Sequence, residues 1–191
     1  MADEREQLRS GLEQLALPLE DAQLDNLLGY LALLVKWNRA FNLTAIRDAS
    51  EMVSKHLLDS LSIAPLLQGE RFLDVGTGAG LPGIPLAICF PHRHFDLLDS
   101  NGKKTRFLQQ AIAELALTNC TVHRSRVESS GLNACFDGIL SRAFASLADM
   151  AEACGPLLKP GGTLLAMKGQ YPDEEMSRLP KPYIVKGSQA L

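Results

Sequence analysis

One stretch restricts the possible folds of this chain more than any other: residues 71–87, RFLDVGTGAGLPGIPLA. It predicts a short apolar strand, a turn containing Gly76, Gly78 and Gly80, and a helix that opens near Leu81. Glycine tolerates positive φ and lets a ligand approach the backbone closely. The first N–H groups of a helix have no partner inside the helix. A strand, a glycine-rich turn and a helix in this order are typical of a nucleotide-binding site in a parallel sheet.

The glycine spacing distinguishes between two classes of ligand. The dinucleotide fingerprint is G-x-G-x-x-G, and when it is counted from Gly76 its third glycine falls on Leu81. The residues present form D-x-G-x-G-x-G from Asp74 to Gly80. An acid at the strand end suits the ammonium and sulfonium groups of S-adenosylmethionine better than a pyrophosphate. The stretch therefore favours this methyl donor, while a nicotinamide dinucleotide and a turn without any ligand remain alternatives.

Downstream of residue 70 the chain alternates strands with helices. The sequence predicts strands over 94–98, 120–123, 138–141 and 163–167, a helix from about Lys103, and a further helix from Ser146 to Cys154. Such alternation predicts a mostly parallel, doubly wound α/β sheet with helices on both faces. The run 159–162, KPGG, predicts a tight turn into the last strand.

The first third of the chain predicts helices only. Leucines at helical spacing predict two helices, the longer of them over about 20–39. Asp48, followed three residues later by Glu51, resembles a capping box for a third helix. The sequence therefore predicts a small N-terminal helical extension, 1–66, packed on a ligand-binding core, 67–191.

Composition argues against several classes of protein. The chain has 191 residues, 46% of them hydrophobic, and a formal net charge of −3, which is typical of a soluble globular protein. Its apolar runs are too short to cross a membrane, and residues 2–7 are too acidic and polar for a signal peptide, so a cytoplasmic protein is expected. A monomer is also expected. The four cysteines form no C-x-x-C pair, and no metal site is predicted. No Walker motif, nucleophile elbow or H-E-x-x-H occurs.

Candidate site residues follow the predicted strands, because ligands of doubly wound sheets bind outside the carboxyl ends of the strands. Asp99 lies 19 residues after Gly80, the offset at which an acid accepts hydrogen bonds from ribose hydroxyls. Val127 offers an apolar wall and a backbone N–H for an adenine edge. Arg142 and Lys168 stand at the tips of the last two strands. The acid supports a nucleoside ligand but does not choose between the two cofactors.

Several motifs together resemble one known family. They are D-V-G-T-G-A-G-L-P-G-I-P-L-A, L-L-D-S with K-K-T-R-F-L, S-R-V-E, S-R-A-F, K-W-N-R-A-F-N-L-T and K-H-L-L-D-S-L. Over roughly residues 8–170 the chain is similar to the GidB/RsmG family of bacterial 16S rRNA guanine-N7 methyltransferases. The resemblance implies a class I, Rossmann-like methyltransferase fold and S-adenosylmethionine as the donor. It also implies a target guanine in the decoding-region hairpin of 16S RNA, either free or in the small ribosomal subunit.

The residues and the resemblance together assign roles to individual positions. The expected donor-binding residues are Asp74, Gly76, Thr77, Gly78, Gly80, Leu81, Asp99, Val127, Glu128 and Arg142. The expected catalytic residues are Arg142, His56, Asn42 and Lys168. The expected RNA-binding residues are Lys103, Lys104, Arg106, Thr44 and Asp59. Without the resemblance, His56 and Asp59 would be interpreted as a helical surface pair, and Asn42 and Thr44 as turn residues.

Three functions from different classes stay open at this point. The first is an RNA methyltransferase, and the second is a nicotinamide-dependent Rossmann oxidoreductase, which Leu81 at the third glycine position disfavours. The third is a non-catalytic RNA-binding protein on a methyltransferase scaffold, which the intact glycine motif disfavours. The resemblance further implies a β-hairpin that completes the sheet, and against that pattern the end after Lys186, GSQAL, is expected to be abbreviated.

Overall fold

The computed structural model describes residues 2–142, 144 and 146–188, and its centre is a five-stranded sheet. The strands are Arg71–Val75 (β1), His94–Leu98 (β2), Cys120–His123 (β3), Phe136–Ser141 (β4) and Leu158–Ala166 (β5). Their order is β3-β2-β1-β4-β5, and neighbouring strands run parallel. The strand order reverses at β1, which pairs with both β2 and β4, so the carboxyl end of β1 is the switch point where such sheets bind ligands.

Helices cover both faces of the sheet. They are Ala2–Gln14 (α1), Asp21–Phe41 (α2), Ala49–Met52 (α3), Asp59–Ser62 (α4), Gly83–Cys89 (α5), Gly102–Glu114 (α6), Leu147–Cys154 (α7) and Asp173–Ser177 (α8). Phe72 and Phe95 face a large apolar core shared with α1, α2, α5 and α6. Leu73 and Ile139 point to the opposite face, where Met150 of α7 covers them. The doubly wound α/β fold predicted from the alternation is confirmed.

The last strand begins earlier than the sequence predicts. Leu158 already pairs with Phe136, and the register then jumps to a pairing of Thr163 with Gly138. The four residues 159–162, expected as a tight turn before the strand, form an irregularity within it. Proline has no N–H to donate to a ladder, and Gly161 has φ +82°, which explains why pairing is interrupted there.

The predicted N-terminal helices form, with one difference at the third. The Asp48 carboxylate accepts from the backbone N–H groups of Ser50 and Glu51, as expected of an N-cap. The Glu51 side chain, however, pairs with Lys55 one turn later (3.3 Å), so the reciprocal half of the expected capping box is replaced by an i,i+4 ion pair. A π-helical turn, Val53–Leu58, then joins α3 to α4.

The N-terminal helices share their core with the sheet. Leu27 and Leu34 of α2 lie in the same apolar cluster as Phe72 of β1, and all three are fully buried. The Gln23 side chain also donates to the carbonyls of Ile88 and Cys89 (3.1 and 3.0 Å), which lie at the end of α5. The division at residues 66 and 67 stays a prediction.

Candidate active site

The glycine loop, residues 76–80, follows β1 directly and turns the chain into α5. Gly76, Gly78 and Gly80 have φ values of 68°, 62° and 93°, a region that other residues enter at a cost. The N–H groups of Gly76 and Thr77 both donate to the Leu98 carbonyl at the end of β2 (2.9 and 3.1 Å). A Cβ at Gly80 would lie 2.6 Å from Cδ1 of Ile84, so the third glycine lets α5 pack against the loop.

Asp74 lies beneath the glycine loop, completely buried. Its Oδ2 accepts from the Thr77 hydroxyl (2.6 Å) and from the N–H of Gly83, the first residue of α5 (2.8 Å). Its Oδ1 is buried and has no hydrogen-bond partner within the described residues. Burial raises the pKa of Asp74 to about 6, against the opposing effect of the two hydrogen bonds. A buried acceptor without a partner beside a ligand-binding turn is suited to a cationic ligand.

Asp99 stands at the end of β2, next to the glycine loop. Its Oδ2 accepts from the N–H of Gly78 (3.0 Å), and its Oδ1 accepts from the N–H of Asn101 (2.8 Å). Lys104 of α6 lies 3.8 Å from the same carboxylate. Each carboxylate oxygen has more than one acceptor position, so Asp99 keeps capacity for two ribose hydroxyls.

Val127 and Glu128 occupy a single 3₁₀ turn after β3. Val127 is buried and belongs to the apolar cluster below α7, whereas Glu128 is exposed. Leu81 is buried at the start of the turn into α5. The structure thus gathers two apolar side chains, Leu81 and Val127, and three acids around the carboxyl ends of β1, β2 and β3. Their contacts to a donor stay predictions.

Arg142 follows β4 and bridges the core to the N-terminal helices. Its guanidinium donates to the Asp59 carboxylate of α4 (2.8 Å), a residue 83 positions earlier in the chain. Ser141 anchors the base of this bridge, because its hydroxyl donates to the Val75 carbonyl of β1 (2.8 Å). Burial raises the pKa of Asp59, and the Arg142 charge opposes that rise. The same charge also favours ionisation of Asp74, so Arg142 lies within electrostatic reach of the glycine loop.

His56 is buried on the π-helical turn and is bonded on both ring nitrogens. Nδ1 lies 3.0 Å from the Lys55 carbonyl, which can only accept, so Nδ1 carries the proton. Nε2 therefore accepts from the Thr44 hydroxyl (2.8 Å). Burial lowers the pKa of His56, and the charge of Arg142 lowers it further. The ring is consequently neutral at pH 7.

A residue that sequence reasoning missed holds the loop between α2 and α3, residues 42–48, in place. Asn38, near the end of α2, accepts from the Thr44 N–H (2.9 Å) and donates to the Ile46 carbonyl (3.0 Å). Asn42 caps α2 in the left-handed conformation and is exposed, the usual role of asparagine at that position. The structure therefore joins Thr44 to His56, while Asn42 lies at the surface as a cap.

Lys168 lies just beyond β5 and is held by a second missed residue, Glu175 of α8. The Lys168 ammonium is 2.9 Å from the Glu175 carboxylate and 3.3 Å from the Phe144 carbonyl. Glu175 also accepts from the N–H of Leu147, the first residue of α7 (2.7 Å). No local pattern marks Glu175, since a helix of five residues has little periodicity to identify its inner face.

The basic residues of α6 divide into two groups. Lys103 and Arg106 are exposed, whereas Lys104 is partly buried and turns towards Asp99. Of the expected RNA-binding residues of α6, Lys103 and Arg106 are therefore the more exposed, while Lys104 shares its charge with Asp99.

Comparison with known proteins identifies the family. A family model described as GidB, rRNA small subunit methyltransferase G, matches residues 23–191. The chain belongs to the GidB family. It is 58% identical over 175 residues to the ribosomal RNA small subunit methyltransferase G of Saccharophagus degradans, covering 92% of this chain and 78% of the relative. It is 56% identical over 180 residues to the protein of the same name from Stutzerimonas stutzeri, covering 93% and 84%.

Solved structures show the same fold as this GidB family member. A S-adenosylmethionine-dependent methyltransferase from Aquifex aeolicus has a TM-score of 0.54 at 19% identity, covering 70% of this chain and 78% of that chain. Coclaurine N-methyltransferase has a TM-score of 0.55 at 14% identity, covering 85% and 57%. The predicted family, the Rossmann-like methyltransferase fold and the assignment as a methyltransferase are confirmed, and neither alternative function is favoured.

Two further findings concern the described residues only. None of their helices is long and apolar enough to cross a membrane. No group of three or more histidine, cysteine, aspartate or glutamate side chains among them is arranged to hold a metal ion.

Proposed function

We propose that this protein methylates N7 of a guanine in the decoding-region hairpin of 16S ribosomal RNA, with S-adenosylmethionine as the donor. Membership of the GidB family supports methyl transfer to RNA of the small ribosomal subunit. The observation that supports the donor assignment is the Asp74 carboxylate, which is buried beneath the glycine loop and has one oxygen without a hydrogen-bond partner in the part of the chain that the structure describes. A ligand that bears positive charge satisfies this group, and a pyrophosphate does not.

Two acidic side chains, Asp99 and Asp74, would interact with different parts of the donor. Bound S-adenosylmethionine supplies a methyl group on a positively charged sulfur. Asp99 would accept from its ribose hydroxyls, while its bond to the Gly78 N–H keeps the glycine loop aligned. Asp74 would contribute negative charge from below the loop, and Val127 would line the adenine side.

The substrate side needs no general base. Guanine N7 has a free lone pair at neutral pH, so no proton has to leave before the new N–C bond forms and the S–C bond breaks. Catalysis would then depend on alignment, which can contribute roughly 7–11 kcal/mol, and on electrostatics. His56 is neutral and has a hydrogen bond at each ring nitrogen, which fits a positioning role rather than proton transfer.

Arg142 would orient either the donor or an RNA phosphate. Its guanidinium is held by Asp59 and lies within electrostatic reach of both Asp74 and His56. We place Lys168 and Asn42 on the same substrate side. Lys103 and Arg106 would contact RNA phosphates because both are exposed on α6.

The experiment is nucleoside mass spectrometry after reaction with labelled S-adenosylmethionine. Small ribosomal subunits and free 16S RNA, both lacking the modification, are incubated with the protein and then digested. Label in 7-methylguanosine from one hairpin supports methyl transfer, N7 as the methylated atom and that hairpin as the target. Comparison of the two substrates shows whether free RNA or the assembled subunit is preferred. Label in another nucleoside contradicts the guanine-N7 assignment but keeps methyl transfer.

Competition experiments separate the remaining classes. Displacement of the donor by S-adenosylhomocysteine but not by NADH is expected of a methyltransferase. Absence of donor binding would instead support a non-catalytic RNA-binding protein. We further infer that the protein acts as a monomer in the cytoplasm, where small subunits are available, and sedimentation with purified subunits tests the stoichiometry.

A further inference from the structure

Tyr30 of α2 reaches the glycine loop from the N-terminal helices. Its side chain is fully buried, and its hydroxyl donates to the Ala79 carbonyl (2.7 Å), 49 residues further along the chain. Ala79 lies between Gly78 and Gly80, which both have positive φ. The hydroxyl therefore bonds the loop between two glycines, residues that lose more conformational freedom on ordering than others do.

Other hydrogen bonds to the glycine loop come from the sheet, where the Thr77 hydroxyl donates to Asp74 of β1. Gly76 and Thr77 donate to Leu98, and Gly78 donates to Asp99, both at the end of β2. Tyr30 thus provides a bond to this loop from the N-terminal helices. The Tyr30 ring is held in turn by Phe107 of α6, with centroids 6.3 Å apart, so the hydroxyl has little freedom to move.

A purely space-filling role does not account for the hydroxyl. Phenylalanine would fill nearly the same volume, and burying a tyrosine hydroxyl requires a hydrogen-bond partner. Burial also raises the pKa of Tyr30 far above its usual value, so the group remains a neutral donor. The partner in this case is the loop that would bind the methyl donor.

We propose that Tyr30 is a positioning residue for donor binding. Its hydroxyl holds residues 78–80 in the conformation that accepts the donor, which makes the N-terminal helices a working part of the donor site. This inference rests on the proposed function, because it requires that the glycine loop binds S-adenosylmethionine.

The test is Tyr30→Phe, which removes the hydroxyl and keeps the ring. Donor affinity is measured by calorimetry with S-adenosylmethionine and with S-adenosylhomocysteine. Loss of one hydrogen bond is expected to weaken both about 3- to 10-fold. The turnover number at saturating donor is expected to stay within about twofold, since the lost energy acts on binding in ground and transition states alike.

Gln23→Ala is the matched control. It also removes hydrogen bonds from α2 to the core, but these bonds reach Ile88 and Cys89 at the carboxyl end of α5, away from the glycine loop. It is expected to lower the melting temperature without changing the donor Kd. Equal donor affinity of wild type and Tyr30→Phe, with only stability reduced, would overturn the inference and leave the proposed function intact. Wild-type protein that binds no donor contradicts both.

Discussion

At the scale of single residues, the charge of Asp74 can be removed without removing its hydrogen bonds. Both of its hydrogen bonds reach the same oxygen, Oδ2, while Oδ1 is buried without a partner within the described residues. Asparagine can place its carbonyl oxygen where Oδ2 lies and keep both bonds. Asp74→Asn therefore removes the charge and leaves the bonds that shape the glycine loop.

Asp74→Asn is expected to weaken donor binding at least tenfold at pH 7.5, because a cationic ligand loses its buried counter-charge. In the wild type, donor affinity should fall as pH drops through about 6, where Asp74 becomes protonated. Calorimetry between pH 5 and 8 checks both effects. The variant's donor Kd should be nearly independent of pH, and a wild-type-like pH dependence in the variant would contradict the role.

The same substitution has an opposite effect on stability. Because the folded-state pKa of Asp74 is raised, the wild type loses stability as pH rises through about 6, where the buried carboxyl ionises. Asp74→Asn has no carboxyl to ionise, so it should be more stable than the wild type by about 1–2 kcal/mol at pH 8. Urea unfolding at pH 4 and pH 8 separates this effect from misfolding, since the difference should be fully present at pH 8 and small at pH 4, where Asp74 is protonated in the folded protein.

At the scale of elements, the Asp59–Arg142 pair connects α4 to the end of β4. Both side chains are about one-third exposed, 33% and 29%, so the pair itself contributes little stability, roughly 0.2–1 kcal/mol. If substitution of Arg142 lowers activity more than stability, the loss therefore reflects a contact of Arg142 with the donor or RNA rather than its pairing with Asp59.

Arg142→Ala is expected to lower turnover at least 100-fold while changing the free energy of unfolding by less than about 1 kcal/mol. The exchanged pair Asp59→Arg with Arg142→Asp should regain stability but not activity, because the cation then extends from α4. Steady-state kinetics and urea unfolding of the three proteins give both quantities. Normal turnover by folded Arg142→Ala would rule out its assignment.

Another connection between elements lies at the opposite end of the sheet. Asp137 of β4 accepts from the Glu70 and Arg71 N–H groups (both 2.9 Å) and from Lys159 (2.8 Å). The Lys159 bond, more than any other interaction, lowers the pKa of Asp137 to about 2. This carboxylate joins the start of β1 to β4 and β5, far from the glycine loop.

Asp137→Ala is expected to destabilise the fold by about 1–2 kcal/mol above pH 4, reduced by the partial exposure of the pair. A lowered pKa contributes stability that is present above the unfolded-state value and is lost as pH falls through about 2. The difference from wild type should therefore shrink in acid. Asp137→Asn keeps an acceptor for both N–H groups, and it should lose less stability than Asp137→Ala.

At the scale of the whole molecule, RNA has to reach the carboxyl end of the sheet despite a net charge of −3. The charge near the site, rather than the net charge, determines whether RNA binds there. Each contact between a basic residue and an RNA phosphate releases counterions, which favours binding. Lys103 and Arg106 present exposed charge on α6, beside the glycine loop, while Lys104 turns to Asp99.

Lys103→Ala and Arg106→Ala are each expected to reduce the slope of log affinity against log salt by about 0.7–0.9. Lys104→Ala should leave the slope unchanged, since its charge is engaged by Asp99. Filter binding of the RNA hairpin between 50 and 200 mM salt measures the slopes. Arg9→Ala is the control, because Arg9 is exposed on α1 and pairs with Asp21 (3.3 Å); an equal slope change there would contradict a localised surface.

The sequence alone determined β1 to β4, most of the helices and the glycine loop, because each follows from a local pattern. Apolar runs near Asp74 and Asp99 predicted β1 and β2, and the offset of Asp99 from Gly80 predicted a ribose-binding acid. The same patterns carried the family resemblance that the comparisons confirmed. Local chemistry was sufficient where a residue's partner lies within a few positions of it.

Only the tertiary structure decided which distant residues meet. Tyr30 resembles any apolar position of α2, yet its hydroxyl bonds Ala79, 49 residues away. Asp59, expected to contact RNA, is paired with Arg142, 83 residues away. These partners are set by how α2 and α4 pack on the sheet, and packing depends on the whole apolar surface of both elements rather than on any motif within one of them.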